Sequence, residues 1–271
     1  MSMSKATEED SNIMTNLLKN KKYILSDGGT GEELFRRGVP DDRKIWSATA
    51  VVNEKYHSIL NDVHVSFLDA GSDMITTNSY GIIPSVGFSK DEIEKYVALS
   101  GKIALDSTTK ASRQSSSPFI VCGSMGPLVE SYRPDLIMDH DSGVEYYKII
   151  VNALSPYVDA YLAETMSSVE EASQALDAIS QLHSSSAAKD NAAMVSFTIN
   201  EKGDLRNGKD VVPSLRSLIK YANDREVRLQ ALLFNCAVPE AITRAFEKIN
   251  ANKPLKDLLN DNDIVLGAYG K

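Results

Sequence analysis

A chain of 271 residues, 42% apolar and 24% charged, is long enough to bury a large core, and its two cysteines cannot build a disulfide framework. Its formal net charge of −8 leaves no basic footprint for nucleic acid and no polybasic patch for a membrane surface. No apolar run reaches the roughly 18–20 residues of a membrane span, and the acidic start "MSMSKATEEDSN" lacks a signal-peptide core, so a reducing, cytoplasmic location is expected.

Residues 1–22 read as an N-terminal extension with a helix, and residues 23–271 as one domain. That domain opens on a short apolar run, "YILSD" (23–27), which ends on Asp27 before Gly28 and Gly29. Residues 53–71 carry apolar side chains at helical spacing and stop on Gly71. "DMITTN" (73–78) follows, then a helix over 89–111 that opens on a Ser89/Glu92 capping box. "FIVCGS" (119–124) and "DAYLAET" (159–165) are the next runs, and the same device, Ser167 with Glu170, opens a helix over 167–182. "AAMVSFTI" (192–199), "ALLFNC" (231–236) and "DIVLGAY" (263–269) complete the series, with Pro239 placed to begin a helix. Residues 112–118 and 183–191 read as surface loops.

The runs are too short for helices and several lack strict alternation, as parallel strands buried on both faces do. Repeated βα units predict a parallel α/β fold. An open doubly wound sheet would gather its chemistry at one switch point. Here nearly every run ends in polar residues: Asp27, Thr76–Thr77–Asn78, Ser124, Glu164–Thr165, Ser196, Asn235–Cys236 and Tyr269. That spread favours a (β/α)8 TIM barrel, whose strand C-termini converge on one face. Seven runs are present where a closed barrel needs eight, so the barrel is expected to be truncated after strand seven, with two unpaired edges.

"LSDGGTGEELFRRG" (25–38), "LDAGSDMITTNSY" (68–80), "GSMGP" (123–127), "ETMSSVEEA" (164–172), "SFTINEKGDLRNG" (196–208) and "NCAVPEAI" (235–242) together resemble, in that order, the homocysteine S-methyltransferase family. The resemblance implies zinc-activated homocysteine as methyl acceptor, methionine as product and a small methyl donor as partner. The donor is an onium compound such as S-methylmethionine or S-adenosylmethionine. It implies that Asp27 and Glu164 receive the amino group, that Gly28 and Thr76 lie near the carboxylate, and that Asn235 orients the site. Cys236 matches the first of three zinc-binding cysteines. The family's adjacent pair of cysteines has no counterpart, and Leu233 stands where the family motif has glycine. Zinc would deprotonate a bound thiol, which at a pKa of roughly 8.5 is mostly protonated at neutral pH.

Plainer readings stand beside these. A lone cysteine is usually a small hydrophobe, and Cys122 reads as core. His57 and His64, seven apart on one helix, read as surface or packing residues, and His140 and His183 fall beside a helix start and a loop. "GGTG" is a weak phosphate signal with no following Lys-Ser/Thr. Trp46 reads as packing under a loop. A protein that binds homocysteine without turning it over is the competing function. A Cys236 nucleophile is the third reading, and it lacks a histidine base at any strand end.

Overall fold

The computed structural model describes residues 13–19, 21–113, 119–184 and 192–269. Six parallel strands form one curled sheet in sequential order: β1 (Met74–Thr76), β2 (Ile120–Met125), β3 (Ala160–Met166), β4 (Ala192–Phe197), β5 (Arg228–Asn235) and β6 (Val265–Tyr269). The connections carry helices. α1 (Ile13–Leu18) precedes the domain, and α2 (Thr30–Arg36), α3 (Thr49–Val52) and α4 (His57–Ala70) lead to β1. α5 (Lys90–Thr108), α6 (His140–Leu154), α7 (Val169–Ser180) and α8 (Val211–Asp224) each join one strand to the next. α9 (Pro239–Ala251) and α10 (Lys253–Asp261) join β5 to β6. No helix among the described residues is long and apolar enough to cross a membrane.

Two apolar clusters sit on the two faces of the sheet. The larger fills the space between strands and helices, with Ile75, Val121, Tyr161, Val195, Leu232 and Phe234 from the strands. The smaller lines the inside of the curl, with Met74, Cys122, Leu162, Met194 and Ala231 closed below by Leu17 of α1. Adjacent strand residues thus fall in opposite clusters, which is the two-residue period of a sheet buried on both faces. The curl is tight enough that Tyr269 of β6 hydrogen-bonds Glu164 of β3 across the interior, at 2.8 Å. The expected barrel fold is present as a curled, six-stranded parallel half-barrel, one regular strand fewer than the seven runs predicted.

Residues 23–27 do not form a regular strand. They contribute a single parallel bridge, Ser26 to Met74, while the Leu25 carbonyl accepts from Asp73 and Met74 and Tyr23 is 67% exposed. Among the described residues no strand pairs with the outer side of this segment or of β6, and a segment with one neighbour has half a ladder to hold it extended.

Helix starts follow local chemistry. Ser89 and Glu92 form the predicted capping box at α5, and Pro239 is the first residue of α9. The second box does not form. Ser168, not Ser167, caps α7 by accepting from Glu171 N–H, and the Glu171 carboxylate accepts from Ser167 N–H at 2.7 Å. His64 is fully buried, and burial lowers it to about 4, so it packs as a neutral ring; His57 bonds the Val51 carbonyl. His140 opens α6 and contacts Asp177; the loops expected over 112–118 and 183–191 lie largely outside the described residues, as does the His183 side chain.

The loop after β4 is held against α9 at Gly203. Its φ is +76°, and a Cβ there would lie 2.6 Å from the Ala245 nitrogen and 3.0 Å from the Arg244 carbonyl carbon. Backbone atoms cannot swing aside, so Gly203→Ala is expected to cost roughly 2 kcal/mol. In a chain this long that lowers the thermal midpoint by about 4–8 °C. Gly208→Ala is the control, because its φ is +84° with nothing within 4 Å, so only the backbone cost applies. Equal midpoints for the two variants would refute the packing argument.

Candidate active site

The strand C-termini surround a cavity of about 480 Å³. Asp27 follows the Ser26 bridge and turns its carboxylate toward β1. Thr76 N–H donates to Oδ2 at 2.8 Å, Thr76 Oγ1 to Oδ2 at 2.9 Å, and Ser26 Oγ to Oδ1 at 3.0 Å. Those donors favour the ionised form. Burial outweighs them and raises the carboxyl to about 6, with the negative Glu164 adding to the rise. Glu164 projects from β3 onto the same cavity. Ser124 Oγ donates to one of its oxygens and Tyr269 Oη to the other. Burial pushes its carboxyl up as well. None of the ion pairs among the described residues involves either acid. Two hydrogen-bonded acids that face one cavity and have no ion-pair partner among the described residues can accept a ligand cation.

Cys236, half-buried and directly after the last residue of β5, also lines the cavity. Its φ is +51°, and that of Thr165, after Glu164 on β3, is +62°. Asn235, fully buried, lies between them and bonds Thr165 and Ser196. An aromatic wall completes the cavity. Trp46 stacks on Tyr80 with ring centroids 5.7 Å apart, and Tyr80 Oη bonds Ser131 Oγ at 2.6 Å. Burial raises the Tyr80 phenol to about 12, and burial followed by the neighbouring Cys236 thiol raises that of Tyr132.

The donor set does not fit the zinc site that the family resemblance implies. Among the described residues no group of three or more His, Cys, Asp and Glu could hold a metal ion. Cys236 is the single thiol lining the cavity. Cys122 is fully buried in the inner apolar cluster beside Ile120 and Leu162, where burial raises its thiol well above the ordinary range. A catalytic zinc takes three protein ligands and keeps one open position.

The fold gathers Asp27, Gly28, Thr76, Glu164 and Cys236 around one cavity, with Asn235 buried just behind its wall. Thr76 reaches it in an unforeseen role, because its N–H and hydroxyl both serve Asp27. The lack of a side chain at Gly28 makes room for Phe67, whose Cε1 would lie 2.8 Å from a Cβ. Sequence reasoning missed Ser124 and Tyr269 as holders of Glu164, and it placed Trp46 under a loop although it is 48% exposed at the cavity wall. The motif "TTNSY" held the signal for Tyr80, an aromatic residue just past a strand end.

Comparison with known proteins bears on the family and the fold. The family model described as homocysteine S-methyltransferase matches residues 24–269. Homocysteine S-methyltransferase YbgG of Bacillus subtilis (strain 168) is 22% identical over 262 residues, spanning 90% of this chain and 79% of that protein. Homocysteine S-methyltransferase of Escherichia coli (strain K12) is 24% identical over 253 residues, spanning 88% of this chain and 77% of that protein. The crystal structure of the homocysteine methyltransferase MmuM from Escherichia coli in its metallated form superposes with a TM-score of 0.77 at 20% identity, covering 95% of this chain and 94% of that one, which supports the barrel fold.

Proposed function

The chain belongs to the homocysteine S-methyltransferase family, and from that premise we propose that its cavity binds homocysteine as acceptor of a methyl group from an onium donor. The pair of uncompensated carboxylates carries this reading. Asp27 and Glu164 receive the ammonium group, the backbone at Gly28 lies along the carboxylate, and the sulfur end faces the Cys236 wall. Thr76, Ser26, Ser124 and Tyr269 aim the two acids, so little is reorganised on binding. The stacked faces of Trp46 and Tyr80 offer a cationic sulfonium or ammonium donor a cation–π surface. S-methylmethionine and S-adenosylmethionine both have that chemistry.

In the transfer, the homocysteine thiol gives up its proton to solvent and its sulfur forms a bond to the donor methyl carbon. The bond from that carbon to the onium atom breaks, and its electron pair neutralises the onium centre. The product is methionine. One cysteine does not make a three-ligand zinc site, so no step is assigned to the metal. That same observation favours a second reading, homocysteine binding without turnover.

Titration calorimetry with L-homocysteine, zinc analysis of the protein, and a methionine assay with S-methylmethionine and added zinc separate these readings. Binding with methionine formation is the expected result. Binding without methionine, at less than one zinc per chain, establishes the second reading. Absence of homocysteine binding overturns both.

A further inference from the structure

We infer that Thr165 is a positioning residue which, through the Asn235 side chain, sets the backbone turn that carries Cys236 into the cavity. The inference depends on the local geometry and holds under either reading of the function.

One buried amide joins three strand ends. Asn235 Oδ1 accepts from Thr165 N–H at 3.1 Å and from Ser196 Oγ at 2.7 Å. Its Nδ2 donates to Thr165 Oγ1 at 2.8 Å. Thr165 follows a register shift in the pairing of β3 with β4, between Ala163 and Met166. Its N–H has therefore left the sheet ladder and is taken up by Asn235. A β-branched residue at φ +62° is strained, at about 1–2 kcal/mol, and persists only where its surroundings hold it. Glycine would adopt that backbone freely but would bring no hydroxyl. Threonine keeps the strain and supplies Oγ1 to Asn235, with the Tyr80 hydroxyl also beside it.

The next link is the chain itself. Asn235 pairs with Tyr269 as the last register of β5, and the residue after it takes φ +51°. That abrupt reversal, on a side chain with no glycine-like freedom, turns Cys236 toward the cavity. A fixed Asn235 fixes the start of the turn. Two strained residues on adjacent sides of the site, coupled through one amide, are a preorganised support.

The test reads the thiol directly. Cys236 alkylation by iodoacetamide is followed by peptide mass spectrometry on the full chain, with buried Cys122 as internal control. Thr165→Val removes the hydroxyl at constant shape, Thr165→Ser keeps it, and Ser196→Ala removes the donor on the other side of the amide. With about 1 kcal/mol of hydrogen bonding lost, Cys236 labelling is expected to rise about fivefold in Thr165→Val and in Ser196→Ala. Thr165→Ser should stay near the wild-type rate. If Thr165→Val does not fold, Ser196→Ala decides the outcome. Wild-type rates in the folded variants overturn the inference, as does Cys122 labelling that rises in step with Cys236, the mark of general loosening.

Discussion

Replacing Glu164 by glutamine is expected to weaken homocysteine binding about a hundredfold, the upper end of what one charged hydrogen bond contributes. Asp27→Asn should act in the same direction and by a similar factor. The reason is the missing counter-charge. Neither acid has a lysine or arginine among the described ion pairs, and in the proposed function the ligand's ammonium supplies that cation. The two losses will not add, because one cation serves both acids. Stability should move little. Glutamine removes a carboxyl whose ionisation burial already opposes, and its amide oxygen can accept from one of the Ser124 and Tyr269 hydroxyls while its NH2 donates to the oxygen of the other. Calorimetric titration gives the affinity, and a thermal scan without ligand shows that the fold persists. An affinity for Glu164→Gln within threefold of wild type would remove Glu164 from the binding site.

The βα alternation was legible because each buried strand is a short apolar run and each helix has a period and a cap. The segment 23–27 was not, since nothing in five residues, three of them apolar, states whether they have one neighbour or two. The displaced cap at α7 has a local cause. Ser167 and Ser168 are adjacent, and each has a glutamate three residues on, so the sequence offers two N-caps, of which Ser168 is used. Asp27, Glu164, Asn235 and Cys236 were legible as polar residues at strand ends. Their bonding was not. Ser124, Glu164 and Tyr269 meet across separations of 40 and 105 residues, and only the curl of the sheet brings them together. Trp46 was misread for a similar reason, because its partner Tyr80 lies beyond α3, α4 and β1.

Homocysteine affinity is also expected to fall as the pH is lowered through about 6, by roughly tenfold per pH unit once Asp27 is protonated. Burial has raised Asp27 to that range from its ordinary value of 3.8, and it raises Glu164 in the same direction. A bound ammonium needs both ionised, so binding below pH 6 must expel a proton, and the slope steepens where Glu164 also protonates. Stability without ligand has the opposite sign for these groups. A carboxyl raised in the folded state contributes stability that is fully present below its unfolded value and is lost as pH rises through the folded one. Glu171, buried and raised to about 7, acts in the same sense, while neutral His64, lowered to about 4, loses stability as pH falls. The difference between wild type and Asp27→Asn isolates the Asp27 contribution from both. The homocysteine-induced rise in thermal midpoint should therefore be larger at pH 7.5 than at pH 5 in the wild type, and the contrast should shrink in Asp27→Asn. An affinity that stays constant over that range would mean that the cavity's two acids do not hold the ligand's charge.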